Sequence, residues 1–170
     1  MTEKDRLELA ERHLTLISGF FPRIDSKVSA LFAVAAAELA VLCLNITKVS
    51  LVTWWSAVPL AMTVAGLAVV IVNLYRSAYP HLDGGHSSLF YFKEIAKRTE
   101  ANFSSEWLSS DRDKLTADLL GQVWQNSKIV AKKYDHLKSA TVFMALSLIP
   151  FAAFLAASSF QTSKVFSIPG

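Results

Sequence analysis

VSALFAVAAAELAVLCLNIT, residues 28–47, is an apolar run broken by one charge, Glu38. A helix needs ~20 apolar residues to cross the ~30 Å hydrocarbon layer of a bilayer, and this run has that length. Two more follow: VSLVTWWSAVPLAMTVAGLAVVIVNLY (49–75) and SATVFMALSLIPFAAFLAASSF (139–160). The pattern predicts three membrane-spanning helices. A carboxyl in the middle of the first is costly in lipid, so Glu38 is expected to face protein or water, on a surface between subunits or along a gated path.

The composition agrees. Apolar residues make up 52% of the 170 residues and charged residues only 18%; soluble domains average about 25% charged. The charges are also segregated. Lys4, Arg6, Arg12, Arg23 and Lys27 precede the first span. Only Lys48 lies between spans one and two, and only Lys164 follows span three. The other ten basic residues fall in the middle segment, among them Arg76, Lys93, Lys97, Arg98, Lys128, Lys132, Lys133 and Lys138. The positive-inside rule then places the N-terminus and the middle segment in the cytoplasm, and the hairpin and tail outside. Trp54 and Trp55, near the outer end of span two, suit an interfacial aromatic belt.

The expected order is an N-terminal cytosolic amphipathic helix (1–27), a two-span hairpin (28–75), a cytosolic helical hairpin (76–138), a third span (139–160) and an outer tail (161–170). This is an all-α membrane protein. Spans one and two must turn within 45–50. The pairs Ala33/Ala37 and Ala36/Ala40 and the series Ala57/Ala61/Ala65 offer small faces for close helix approach; the alternative is that alanine is merely common in such helices. Pro59 and Pro150 lie inside spans two and three, as static kinks or as gating hinges.

In the N-terminal arm Leu7, Ala10, Leu14, Ile17 and Phe21 recur at helical steps, predicting a helix over 3–21 that Pro22 ends. It suits the membrane surface or a face of the middle segment. Asp25 or Ser26 is expected to cap span one. The pattern predicts a further helix over 88–108, with Glu94 and Arg98 in the favourable i,i+4 order. SSDRD then breaks it, and Ser110 with Asp113 resembles a cap. From Asp111 one uninterrupted helix runs on into span three. The aromatics Phe90, Tyr91, Phe92, Phe103, Trp107 and Trp124 exceed what two helices can bury, which argues for a homo-oligomer.

No phosphate loop, nucleophile elbow or dinucleotide fingerprint occurs. Cys43 is the sole cysteine, read as a small packer within span one. His81, Asp83 and His86 form too sparse a set for a metal, so no metal or cofactor is expected. An enzyme is not expected either, nor a nucleic-acid partner; membrane lipid is. Lys128, Lys132 and Lys133 suit anionic lipid or a phosphate-bearing ligand.

The stretches RIDSKVSALFAVAAAE (23–38), YP (79–80), LFYFKEIA (89–96) and DLLGQVWQNSKIVAKKYDHLKSAT (118–141) occur in this order. Together with the span layout, over about residues 10–160, the chain resembles the transmembrane effectors of Pycsar antiphage systems. Asp25, Lys27, Lys133 and Tyr134 mark the resemblance without assigned roles. It implies a partner pyrimidine nucleotide cyclase and an activating ligand, cyclic CMP or cyclic UMP. It also implies a bacterial inner-membrane location and an action that impairs that membrane, ending in abortive infection. With no separate β-roll domain in the chain, a nucleotide bound here must use helices. Lys93, Lys97, Arg98, Lys128 and Lys132 offer charge for its phosphate, and Trp107 and Trp124 a flat face for its base. The alternative is a non-enzymatic adaptor or structural subunit whose cytosolic hairpin recruits a partner.

Overall fold

Thr2 and Asp5 open the first helix with a reciprocal capping box. The Asp5 N–H donates to Thr2 Oγ1 at 3.2 Å, and the Thr2 N–H donates to Asp5 Oδ2 at 2.7 Å. Two of the N–H groups that a helix start leaves unpaired are thereby satisfied. Helix α1 (Glu3–Ser18) follows. Its inner side is Ala10, with Leu7, Leu14 and Ile17 half-buried, which is the stripe expected from the sequence. The computed structural model describes residues 2–47, 51–79, 85 and 87–166.

Helix α2 (Phe20–Asn45) begins one residue after Gly19, earlier than expected. Pro22 does not end α1. It sits in the first turn of α2, where a missing N–H leaves no intrahelical bond unmade. Asp25 and Ser26 are accordingly helix-interior residues and cap nothing. Helix α3 is Trp54–Ala78. Residues 48–50, between α2 and α3 in the chain, lie outside the described residues, and with them Lys48; so do His81, Asp83 and His86.

The helix expected over 88–108 is two pieces, α4 (Phe92–Ile95) and α5 (Glu100–Ser109). Thr99 separates them: its hydroxyl accepts from the Asn102 N–H at 3.3 Å and starts α5 afresh. The last helix, α6 (Arg112–Phe166), is continuous. Its cap is Asp111, whose Oδ1 accepts from the Lys114 N–H at 2.7 Å; Ser110 instead closes α5. No strand occurs among the described residues. Three helical stretches, within Glu3–Asn45, Trp54–Ala78 and Arg112–Phe160, are long and apolar enough to cross a membrane.

The chain divides into two compact units, Met1–Asp25 with Tyr79–Tyr134, and Ser26–Ala78 with Asp135–Gly170. The second is a three-helix bundle. In α3 the buried residues are Ser56, Leu60, Thr63, Leu67, Val70, Leu74 and Ser77. In α6 they are Leu137, Ala140, Met144, Ser147, Phe154 and Ser158, and in α2 Val28, Ala35, Glu38 and Leu42. Steps of four and three alternate, the 3.5-residue period of a coiled-coil seam. The alanine faces are largely outside it: Ala33, Ala36, Ala37, Ala40, Ala61 and Ala65 are exposed, and Ala57 is half-buried. Close approach comes from Gly66 instead, where an added Cβ would stand 3.1 Å from Ser147 Cβ. Pro59 and Pro150 are accommodated inside continuous helices. Trp54 and Trp55 stack at 5.7 Å and are 72% and 60% exposed at the start of α3, as interfacial aromatics would be.

Candidate functional site

In the first unit the segment before α4 is pinned by side chains distant in sequence. Arg98 donates to Ser88 O at 2.7 Å and Ser87 O at 2.8 Å, and its Nε lies 3.2 Å from Glu106 Oε2. Ser88 is buried, and its Oγ accepts from the Phe90 and Tyr91 N–H groups, each at 3.0 Å, and from Gln122 Nε2 at 3.1 Å. Asp118 Oδ2 accepts from the Leu89 N–H at 2.7 Å. A bend that gives up helical bonds thus recovers them from Ser88, from Arg98 and, through Asp118, from α6. Gly85 belongs to the same arrangement: a Cβ there would meet Gln122 Nε2 at 3.0 Å.

This assigns Arg98 differently from the sequence. It clamps two backbone carbonyls and Glu106 rather than pairing with Glu94, which takes Lys97 as its partner. Its charge is therefore committed to the fold. Lys97 and Lys93 are exposed. Trp107 packs on Phe90 with ring centroids 5.2 Å apart and on Phe103 at 6.0 Å. Beside it Phe103, Ser104, Trp107 and Leu108 line an open depression of about 400 Å³. With one hydroxyl in its lining, it suits apolar matter better than a phosphate.

Two of the expected site residues do meet. Lys128 Nζ lies 4.1 Å from the centroid of the Trp124 ring, one helical turn away. Both are exposed, as is Lys132 one turn further on. Cation and aromatic face reinforce each other electrostatically, and together they present charge and a flat surface to solvent. Lys133, by contrast, is turned inward: it is 6% exposed and lies 3.3 Å from Asp25 Oδ1, with Phe21 beneath it. Phe20 and Tyr134 meet edge-on at 6.5 Å next to this pair. Nothing local in the sequence signals a contact between residues 108 apart; both residues lie in the stretches that carry the Pycsar resemblance.

In the second unit Glu38 is buried inside the bundle of a single chain, not on an outward face, so it gives no argument for a contact between subunits. Ser147 Oγ lies 3.4 Å from Glu38 Oε2. Asn73 Oδ1 and His136 Nδ1 lie 3.3 Å apart. Among the described residues no group of His, Cys, Asp or Glu is placed to hold a metal ion.

A family model described as the Pycsar effector protein domain matches residues 9–159. No curated protein and no solved structure shows significant similarity to the chain. The match covers both compact units and all three span-length helices. The chain therefore belongs to the Pycsar effector family, as a membrane protein that acts as an effector in antiphage defence beside a nucleotide cyclase.

Proposed function

We propose that this chain responds to a cyclic pyrimidine mononucleotide, cyclic CMP or cyclic UMP, by impairing the bacterial inner membrane and so aborting phage growth. The family match over residues 9–159 carries the reading. It is supported by three helices able to span a bilayer and by a first unit that displays Trp124, Lys128 and Lys132 to solvent. A cyclic monophosphate needs a cation for its phosphate and a flat face for its base. Trp124 with Lys128 and Lys132 is the place that combines them; Arg98 and Lys133 are committed to internal contacts. The basic-residue asymmetry supports a cytoplasmic N-terminus and first unit, within reach of a nucleotide made in the cytoplasm.

Calorimetric titration of the purified full chain with cyclic CMP and cyclic UMP tests the reading. Saturable binding of one of them is expected, weakened at least tenfold by Lys128→Ala with Lys132→Ala. Absence of binding to the unaltered protein contradicts direct sensing and favours an adaptor that recruits the sensor. Reporter fusions after Gly85 and Gly170 are expected to report opposite sides of the membrane; same-side results contradict three crossings.

A further inference from the structure

Among the described residues of the bundle, Glu38 has a buried carboxyl oxygen that its own packing leaves unsatisfied. Glu38 is 5% exposed. Ser147 Oγ lies 3.4 Å from its Oε2, but that hydroxyl also lies 2.9 Å from Met144 O. A serine hydroxyl has one hydrogen, and the shorter contact takes it. The other oxygen, Oε1, is buried and has no hydrogen-bond partner among the described residues. Its neighbours along the α2 seam are Ala35 and Leu42, 1% and 0% exposed. Five other seam positions of this bundle, 42, 60, 67, 74 and 137, are filled by leucine. Leucine at 38 would fill a comparable volume without burying an unpaired carboxyl, and such replacements are commonly neutral or stabilising.

A side chain poorly satisfied in one packing favours any alternative packing in which it reaches water. Gly66 and Ser147 meet at the same level of the bundle in close approach, with no bulky side chain interlocking α3 and α6. We propose that the Glu38 layer is the gate of the membrane unit: the seam of α2, α3 and α6 parts at Glu38, Gly66 and Ser147, and the opened seam presents Glu38 to a path for cations. A carboxylate lining such a path selects cations over anions. The trigger rests on the function proposed above; the gate rests on the seam alone.

Planar-bilayer recordings of the reconstituted full chain under a potassium chloride gradient read the gate, with both spontaneous and nucleotide-induced openings counted. Potassium is expected to be preferred over chloride. Glu38→Gln is expected to conduct with that preference lost, and Glu38→Leu to open at least tenfold less often and to unfold at a higher temperature in micelles. In a Cys43→Ser background, Ala35→Cys and Leu42→Cys are expected to resist a water-soluble maleimide until the protein is activated. Chloride preference, an unchanged preference in Glu38→Gln, or a lowered unfolding temperature in Glu38→Leu overturns the proposal. If neither nucleotide opens the protein but Glu38→Leu still raises the unfolding temperature and silences spontaneous openings, the gate stands and the trigger falls. If a nucleotide opens wild type and Glu38→Leu alike, the trigger stands and the gate falls.

Discussion

Buried polar groups in the unit made of Met1–Asp25 and Tyr79–Tyr134 reach partners far along the chain: Ser88 takes Gln122, Leu89 takes Asp118 and Lys133 takes Asp25. In the unit made of Ser26–Ala78 and Asp135–Gly170 the hydroxyls of Ser56, Thr63 and Ser147 bond carbonyls three or four residues back on their own chain segment. The first unit is thus specified by cross-links between irregular backbone and helix. The second is specified by the shape of a seam, and buried Glu38 is an exception to that rule. In water, apolar burial cannot by itself pin an open loop; in lipid, hydrophobicity cannot by itself choose which helix faces meet, so close packing must.

The largest effect expected from this difference lies in the first unit. Arg98→Ala removes donors from two carbonyls and from Glu106, and should cost about 3 kcal/mol. Arg98→Lys should recover less than half, because an ammonium does not reproduce the planar fork. Denaturant unfolding in mixed micelles measures both, and a cost near zero would detach the bend before α4 from Arg98 and α5.

Next comes the seam. Gly66→Val forces a side chain against Ser147 and should cost about 2 kcal/mol, whereas Ala33→Val on the exposed face should stay within about 0.5 kcal/mol. Equal costs would mean that the alanine face, not the seam, holds the helices together. A smaller asymmetry is expected at the Lys133–Asp25 pair of the first unit. Asp25→Ala takes a partner from buried Lys133, while Lys133→Met removes the buried charge itself. The former should cost about 1 kcal/mol more than the latter, the half-exposed aspartate limiting the difference.

Much of this was legible from residue order and much was not, for physical reasons. The spans were readable because length and apolarity alone define them. The α1 stripe was readable because Leu7, Ala10, Leu14 and Ile17 stand out against charged neighbours. The seam was not: within α2, α3 and α6 nearly every residue is apolar, so a period of 3.5 leaves no contrast, and exposed alanines look the same as buried ones. The Arg98 clamp was hidden for another reason. Glu94 four residues earlier is an acceptable partner, and only tertiary structure reveals the better ones. Of the expected ligand residues, Trp124 and Lys128 come together by simple helical spacing. Arg98 is taken up by the fold, and Trp107 packs on Phe90 and Phe103 while staying 38% exposed.

The smallest effect is a pH dependence confined to α1. The Thr2 N–H, and then its hydroxyl, hold the Asp5 carboxyl below its ordinary value of 3.8. A lowered folded value means that the contribution of the cap is complete above that ordinary value and is lost as pH falls through the folded one. Amide exchange in the first turn of α1 should therefore be constant at neutral pH, once corrected for intrinsic rates, and accelerate only in acid. Asp5→Asn should remove the pH dependence. A change near neutrality would point to a different group.

The most direct test of the whole account is dye release from liposomes carrying the purified full chain. Addition of cyclic CMP or cyclic UMP should release the dye from these vesicles and not from protein-free ones, with adenosine and guanosine cyclic monophosphates inactive. Intact vesicles under both pyrimidine nucleotides, with the protein folded and inserted, would contradict the account.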